Sequence, residues 1–392
     1  MNVLFTELFK NYSHLIKTKI LTGLSPLQKK VALVAVAYFG CAAVGFFFYH
    51  CYFLSIHLLR KHRFYVYQHK RQHDIQQKLE KNRRAAQEQQ AKERSKGFIL
   101  PLGDIPESFA LFIPYWGNTA RSIDAHLKNV DCKQVGIASC EGAKNGMDNA
   151  DIAGQFAFKI HHQIFHAEVF GIFDGYRDVR AALFVKEHLA EYLKKALEEQ
   201  NLFTLTDADI ENALKKAFIQ LDADFTGNEG TAVIVAFTLN GKIWIANAGN
   251  SRALLVNNEG AVIQASEDAD PKIERYKKTI EKLGGTVFLN RINGSLDVAR
   301  SIGHQQVVGK SGQRCVSPKP KITCYSLAEL QEGYLVLACH GLYKVASSHE
   351  VGKAIKQMAD QGETPEKMAK RLIYAALLKN TQDNVSVMVV KL

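Results

Sequence analysis

Three histidines within six residues, His161, His162 and His166 in KIHHQIFHAEVF, have the look of a metal cluster, because neutral imidazole is the commonest metal ligand. They lie just before a run that reads as a strand, and an exposed loop is the expected setting. Cys315 and Cys324 could pair, or bind a metal with His304, but their spacing is not that of a zinc site and idle thiols are expected. Ser251-Arg252 places a hydroxyl beside a guanidinium, the pieces of a nucleophile; inside a hairpin a structural role is expected. The chain has no glycine-rich phosphate loop of the P-loop or dinucleotide type.

Such residues act only where strands and helices hold them. EVFGIF (168–173) is a β-prone run that should stop at the turn signal Asp174-Gly175. After it, Val185, Leu189, Leu193 and Leu197 recur at four-residue spacing, an amphipathic helix. TAVIVAFTL and KIWIANAG are joined by Asn240-Gly241, the strongest short hairpin signal, and SRALLV and AVIQ by NNEG. A helix over Ile273–Leu283 should end at Gly284-Gly285. YLVLAC (334–339) reads as a buried strand, and helices near 349–360 and 365–379 precede a last strand, NVSVMVVKL. Hairpins with interspersed helices predict an α+β domain of covered antiparallel sheets.

The 392 residues are 47% apolar with a net charge of +11, and the position of the excess matters more than its size. Residues 1–30 hold five basic residues and one acidic, 31–59 hold neither, and 60–98 hold twelve and four, which leaves the remaining 294 residues at −1. A near-neutral body argues against nucleic acid as a partner. Val31–Leu59 is 29 residues without a charge, and about 20 such residues cross a bilayer, so one transmembrane helix is expected there. Lys29, Lys30, Arg60, Lys61 and Arg63 flank it, with Tyr38, Tyr49 and Tyr52 placed for the headgroups. Four Lys in the 20 residues before the span and six Lys/Arg in the 20 after lean towards a cytoplasmic C-terminal body. Cysteine use agrees: Cys132, Cys140, Cys315, Cys324 and Cys339 form no CxxC pair, and reduced thiols are the default. His50 and His57 are ionisable groups of the span, expected as neutral imidazoles near the far headgroups. The organisation read from the chain is a basic segment 1–30, the span 31–59, a basic helical stalk or linker 60–98, an entry segment 99–135 packed on the domain, and the domain 136–392.

Several loops at strand ends carry a further pattern: GIASCEGAKNGMDNAD (136–151), FGIFDGYRD (170–178), NEGTAVIVAF (228–237), IWIANAGNSRALL (243–255), NRINGSLDVARSIGH (290–304), LVLACHGLYKV (335–345) and TQDNVSV (381–387). In order and type these resemble the metal-dependent Ser/Thr protein phosphatases of the PPM (type 2C) family. The resemblance implies a β-sandwich of two antiparallel sheets flanked by helices. It also implies two Mg²⁺ or Mn²⁺ ions that activate a water against a phosphoryl group. By that resemblance Asp174 is the metal-bridging aspartate, the Gly175 carbonyl its neighbouring ligand, Asp383 the aspartate of the last ligand motif, and Asp148 an acidic residue beside the metals. Lys144 stands where the family places an arginine on the substrate phosphate, so charge survives but the bidentate fork does not. Arg300 matches the family's own arginine and should pack locally.

Other positions depart from the family. Asn149, Asn250, His304, His340 and Lys344 replace five carboxylates, and Tyr176 replaces a histidine able to protonate the leaving oxygen. Asn149 and Asn250 keep a carbonyl oxygen, and His340 suits Mn²⁺, Fe²⁺ or Zn²⁺ better than Mg²⁺. An ammonium at Lys344 repels a dication and could instead pair with Asp174 or Asp383. With the span expected at 31–59, the resemblance implies a membrane-anchored pseudophosphatase that acts by binding a protein or phosphoprotein, with Lys144 and Arg177 available to a phosphate and Mn²⁺ or Mg²⁺ bound weakly. The alternative is an active Ser/Thr phosphatase with a single-metal or Mn²⁺-preferring centre, and a third reading is a structural module.

Overall fold

The structure, a computed structural model, describes residues 134–392 apart from 145, 201–204 and 331–332. The basic segment, the span 31–59 with His50 and His57, the stalk 60–98, and the entry segment as far as Cys132 and residue 133 lie outside the described residues. Among the described residues no helix is long and apolar enough to cross a membrane.

In chain order the elements are β1 (Val135–Cys140), β2 (Ala150–Ile160), β3 (Gln163–Tyr176), α1 (Arg180–Glu198), α2 (Asp207–Asp224), β4 (Gly230–Leu239), β5 (Lys242–Ala248), β6 (Arg252–Val256), β7 (Val262–Gln264), α3 (Glu274–Lys282), β8 (Val287–Phe288), β9 (Arg291–Ile292), β10 (Ile302–Gly303), β11 (Lys321–Ser326), β12 (Tyr334–Ala338), α4 (His340–Tyr343), α5 (Ser348–Asp360), α6 (Pro365–Leu378) and β13 (Val385–Lys391). One sheet has the order β1-β13-β12-β6-β7 and the other β11-β5-β4-β3-β2, with β10 pairing the start of β4. Neighbouring strands run antiparallel throughout both.

The sheets face each other across a core of Ile137, Phe170, Ile172, Ile234, Ile245, Leu255, Leu337 and Met388. The outer face of the β4 sheet is covered by α1 and α2 through Phe173, Val185, Leu189, Phe218 and Phe237. On the outer face of the β13 sheet, Val336, Val387 and Val389 meet Ile355, Met368 and Leu372 of α5 and α6. With both faces covered, β4 is buried along its whole length, which is why TAVIVAFTL reads as a continuous apolar run rather than an alternation. Thr206 and Ser347 start α2 and α5 with capping boxes to Asp209 and Glu350, and Thr364 caps α6 before Pro365.

Both hairpins stand where the turn residues put them: Asn240 and Gly241 have φ of 50° and 74°, and Leu239 faces Lys242. Two expectations are corrected. Strand β3 does not stop at Asp174-Gly175; it runs to Tyr176, with Asp174 opposite Ala232 and Gly175 opposite Thr231. The glycine marks a close approach instead, because a Cβ at 175 would sit 2.2 Å from the Asp148 carbonyl oxygen. The histidine segment is not one loop either. His161 and His162 form the β2–β3 turn, but His166 lies within β3 opposite Ala157, with its side chain exposed.

Candidate functional site

The C-terminal end of β3, the turn from β12 into α4, the loop before β13 and the β1–β2 loop converge at one end of the sandwich. They bring Asp174, His340 and Lys344, Asp383, and Lys144 and Asp148 together. The carboxylate of Asp383 is held on both sides: Lys144 Nζ lies 2.5 Å from Oδ1 and Lys344 Nζ 2.6 Å from Oδ2. The Asn384 backbone N–H donates to Oδ1 as well, at 3.1 Å. Burial would raise this carboxyl, but the Lys344 charge and the two lysine hydrogen bonds hold it down to about 2.

Asp174 is in the opposite state. It is buried and accepts from the His340 backbone N–H at 3.3 Å. Burial, with the nearby Asp383 charge, pushes its carboxyl up to about 7 against the pull of Lys144 and Lys344. Asp148 is 3.9 Å from Lys144, and burial raises its carboxyl while the lysine opposes. Gly341, at the first turn of α4, lets that turn approach β13, since a Cβ there would meet the Asn384 carbonyl oxygen at 2.0 Å.

The other substituted positions form a neutral stack. The Tyr176 hydroxyl donates to Asn250 Oδ1 at 3.1 Å, and its ring meets that of His304 edge-on at 5.4 Å. His304 Nδ1 is 2.9 Å from Ser301 Oγ, and burial, reinforced by the Arg314 and Arg177 charges, lowers its imidazole to about 4. Burial and the Lys344 charge also lower the His340 imidazole, whose Nδ1 is buried with no hydrogen-bond partner. Asn149 turns away, donating to Ser386 Oγ at 3.0 Å.

Two residues that the sequence reading passed over shape the site. Asn384 donates to the carbonyls of Glu141 and Gly146, both at 2.9 Å, and accepts from the Asp148 N–H at 3.0 Å, so it moulds the loop carrying Lys144. Its only signal was adjacency to Asp383. Asp297 bonds Arg291 at 3.1 Å through Oδ2, has a buried unpartnered Oδ1, and acts electrostatically on His340, Tyr176 and His304. A lone aspartate in a loop gave no pattern to find it.

The remaining candidates lie outside this cluster. Arg252 forks onto Asp268 at 3.1 and 2.6 Å and lies 4.4 Å from the Tyr343 ring centroid, while Ser251 is buried. Arg300 bonds the Lys319 carbonyl and lies over Tyr276. Cys315 and Cys324 are free thiols.

These donors do not fit a pair of divalent cations. Each Asp383 oxygen already carries an ammonium, and among the described residues no three His, Cys, Asp or Glu side chains are grouped to hold a metal ion. The arrangement can hold cations of its own and present buried polar groups.

Residues 134–385 match the family model described as "Protein phosphatase 2C". The chain is 32% identical over 283 residues to "Probable protein phosphatase 2C 27" of Arabidopsis thaliana, covering 69% of this chain and 72% of that protein. It is 29% identical to "Protein phosphatase 1L" of Bos taurus over 66% of this chain and 72% of that one. Among solved structures it resembles a phosphatase from a pathogenic strain of Toxoplasma gondii, with a TM-score of 0.53 and 20% identity over 66% of this chain and 94% of that one. A sex-determining protein of C. elegans matches with a TM-score of 0.54 and 18% identity over 66% of this chain and 64% of that one. Its fold and the match over residues 134–385 place this chain in the protein phosphatase 2C family, whose members are metal-dependent.

Proposed function

We propose that this chain is a membrane-anchored member of the family that has become a pseudophosphatase and acts by binding a protein or phosphoprotein. The observation that carries the reading is the double ion pair on Asp383, where Lys144 and Lys344 occupy both oxygens of a carboxylate that the family gives to a metal. An ammonium cannot polarise a bridging water as a dication does, and each lysine repels an incoming metal ion. Tyr176, engaged with Asn250, replaces the acid that would assist the leaving group. The uncharged run 31–59 with its basic flanks supports a single span with the folded domain in the cytoplasm. The test is hydrolysis of a phosphopeptide by the purified protein across a titration of Mn²⁺ and Mg²⁺, with Asp174→Ala as the blank. Turnover at the level of the blank is expected, and turnover well above it sinks the proposal.

A second reading is favoured by one observation. His340 Nδ1 is buried without a partner, and the same residue's backbone touches Asp174. That ring nitrogen suits Mn²⁺ or Zn²⁺, so an altered single-metal phosphatase is the alternative. Loss of Mn²⁺-dependent turnover in His340→Ala would establish it.

A further inference from the structure

A cavity of about 340 Å³ opens between α3 and the segment running from Ala299 to Lys321, a volume at the small end for ligand pockets. Its lining is basic. Arg275 offsets Glu267, and Arg314 is held by Asp222 through two guanidinium bonds, but Arg300 and Lys321 have no carboxylate partner among the described residues. The imbalance is local to this stretch, because from Val298 to Ala328 the chain has five Lys or Arg and neither Asp nor Glu. Three of the five, Arg300, Arg314 and Lys321, line the cavity.

The cavity is built rather than incidental. The Arg300 guanidinium is anchored by one amino group on the Lys319 carbonyl, and its Nε is buried, so the side chain is fixed while it lines the cavity. Tyr276 forms the floor, with Arg275 and Arg300 stacked 4.9 and 5.6 Å from its ring centroid and its hydroxyl on Glu267 Oε1 at 2.7 Å. Ile280 and Val316 supply an apolar wall. A fixed guanidinium and an exposed ammonium beside an apolar wall match a dianionic phosphoryl group on a short hydrocarbon stem. The cavity is too small for a nucleic-acid backbone to run through.

We infer that this cavity is an anion site that takes a phosphate monoester carried on a protein side chain, read by Arg300 and Lys321. Its lining shares no residue with the Asp383 cluster, and it does not depend on whether that cluster hydrolyses anything. The test titrates the full chain, purified in detergent, with a labelled phosphoserine peptide of degenerate flanks, the same peptide with serine, and soluble glycerophosphoinositol 4-phosphate. The phosphopeptide should bind at least about tenfold more tightly than the serine peptide, and Lys321→Gln and Arg300→Lys should each weaken it about tenfold. Lys321 is exposed and Arg300→Lys keeps the charge, so both variants should fold; Lys278→Gln, on the outer face of α3, controls for net charge. Equal binding of the serine peptide, or indifference to both variants, overturns the site even if Lys144→Ala weakens the phosphopeptide. Binding of the inositol headgroup in place of the phosphopeptide overturns the protein ligand.

Discussion

Lys344 Nζ lies 2.6 Å from Asp383 Oδ2, across 39 residues of chain, while Lys144 takes the other oxygen of the same carboxylate. One carboxylate thus holds two ammonium groups in a half-buried site, and the trio is left with a net positive charge.

Charge reversal should reopen the site. Lys344→Asp removes one ammonium and restores a carboxylate beside Asp383, so Mn²⁺ should raise the melting temperature of the variant while leaving the wild type unmoved. At a concentration one hundred times Kd, binding contributes about 2.7 kcal/mol, a shift of several degrees for a domain of this size. Equal shifts in both proteins would show that Lys344 does not exclude the ion.

Asp174 and His304 should oppose each other in the pH dependence of stability. The Asp174 carboxyl, raised to about 7 from an ordinary 3.8, binds its proton more tightly in the folded state. Its contribution is complete below about pH 4 and is lost as pH rises through 7. The His304 imidazole, lowered to about 4 from 6.5, contributes stability above pH 6.5 that is lost as pH falls through 4. Each amounts to a few kcal/mol, with opposite slopes over the same window.

Single variants separate them. Asp174→Asn should melt higher than wild type at pH 8, and its stability should rise steadily from pH 4 to 6.5. His304→Gln should show stability falling from pH 4 to 7. Urea midpoints across that range read both slopes, and a variant with the wild-type profile would remove its residue from the account.

Asn384→Ala should loosen the loop that carries Lys144. The variant leaves the carbonyls of Glu141 and Gly146 and the Asp148 N–H without their partner, a cost of about 2 to 4 kcal/mol. Hydrogen exchange should quicken over 141–148, with β4 and β5 protected as before. Uniform destabilisation without that local signature would mean that Asn384 acts through the core instead.

Asp222→Ala should cost about 3 to 5 kcal/mol, because Arg314 is left charged and half-buried beside the Gly303 carbonyl it still contacts. Asp222 also accepts the Gly303 N–H at 2.9 Å, so the 301–316 segment should be the first to lose exchange protection. Replacing Asp222 and Arg314 together with apolar residues should recover part of the loss.

Much of this protein was legible from local patterns. Asn240-Gly241 specifies a turn that few other dipeptides can make, and the four-residue spacing of Val185, Leu189, Leu193 and Leu197 specifies a helix face, so both stand where expected. That Asn250, His304, His340 and Lys344 stand where carboxylates are expected was implied by the resemblance to the family, not by any local pattern of the chain. Lys344 was expected to pair with Asp174 or Asp383, and packing selected Asp383. Tertiary structure alone decided the rest, because these contacts join segments that no local pattern relates. Lys144 reaches Asp383 only because β1 pairs with β13, Val135 opposite Val390 and Cys140 opposite Val385. Asp174 is buried where β3 continues through Gly175, a residue that the Asp-Gly dipeptide had marked as a turn and beside which Asp148 leaves no room for a Cβ. Period and turn chemistry are written along the chain; which charges share a carboxylate is set by how strands pair across it.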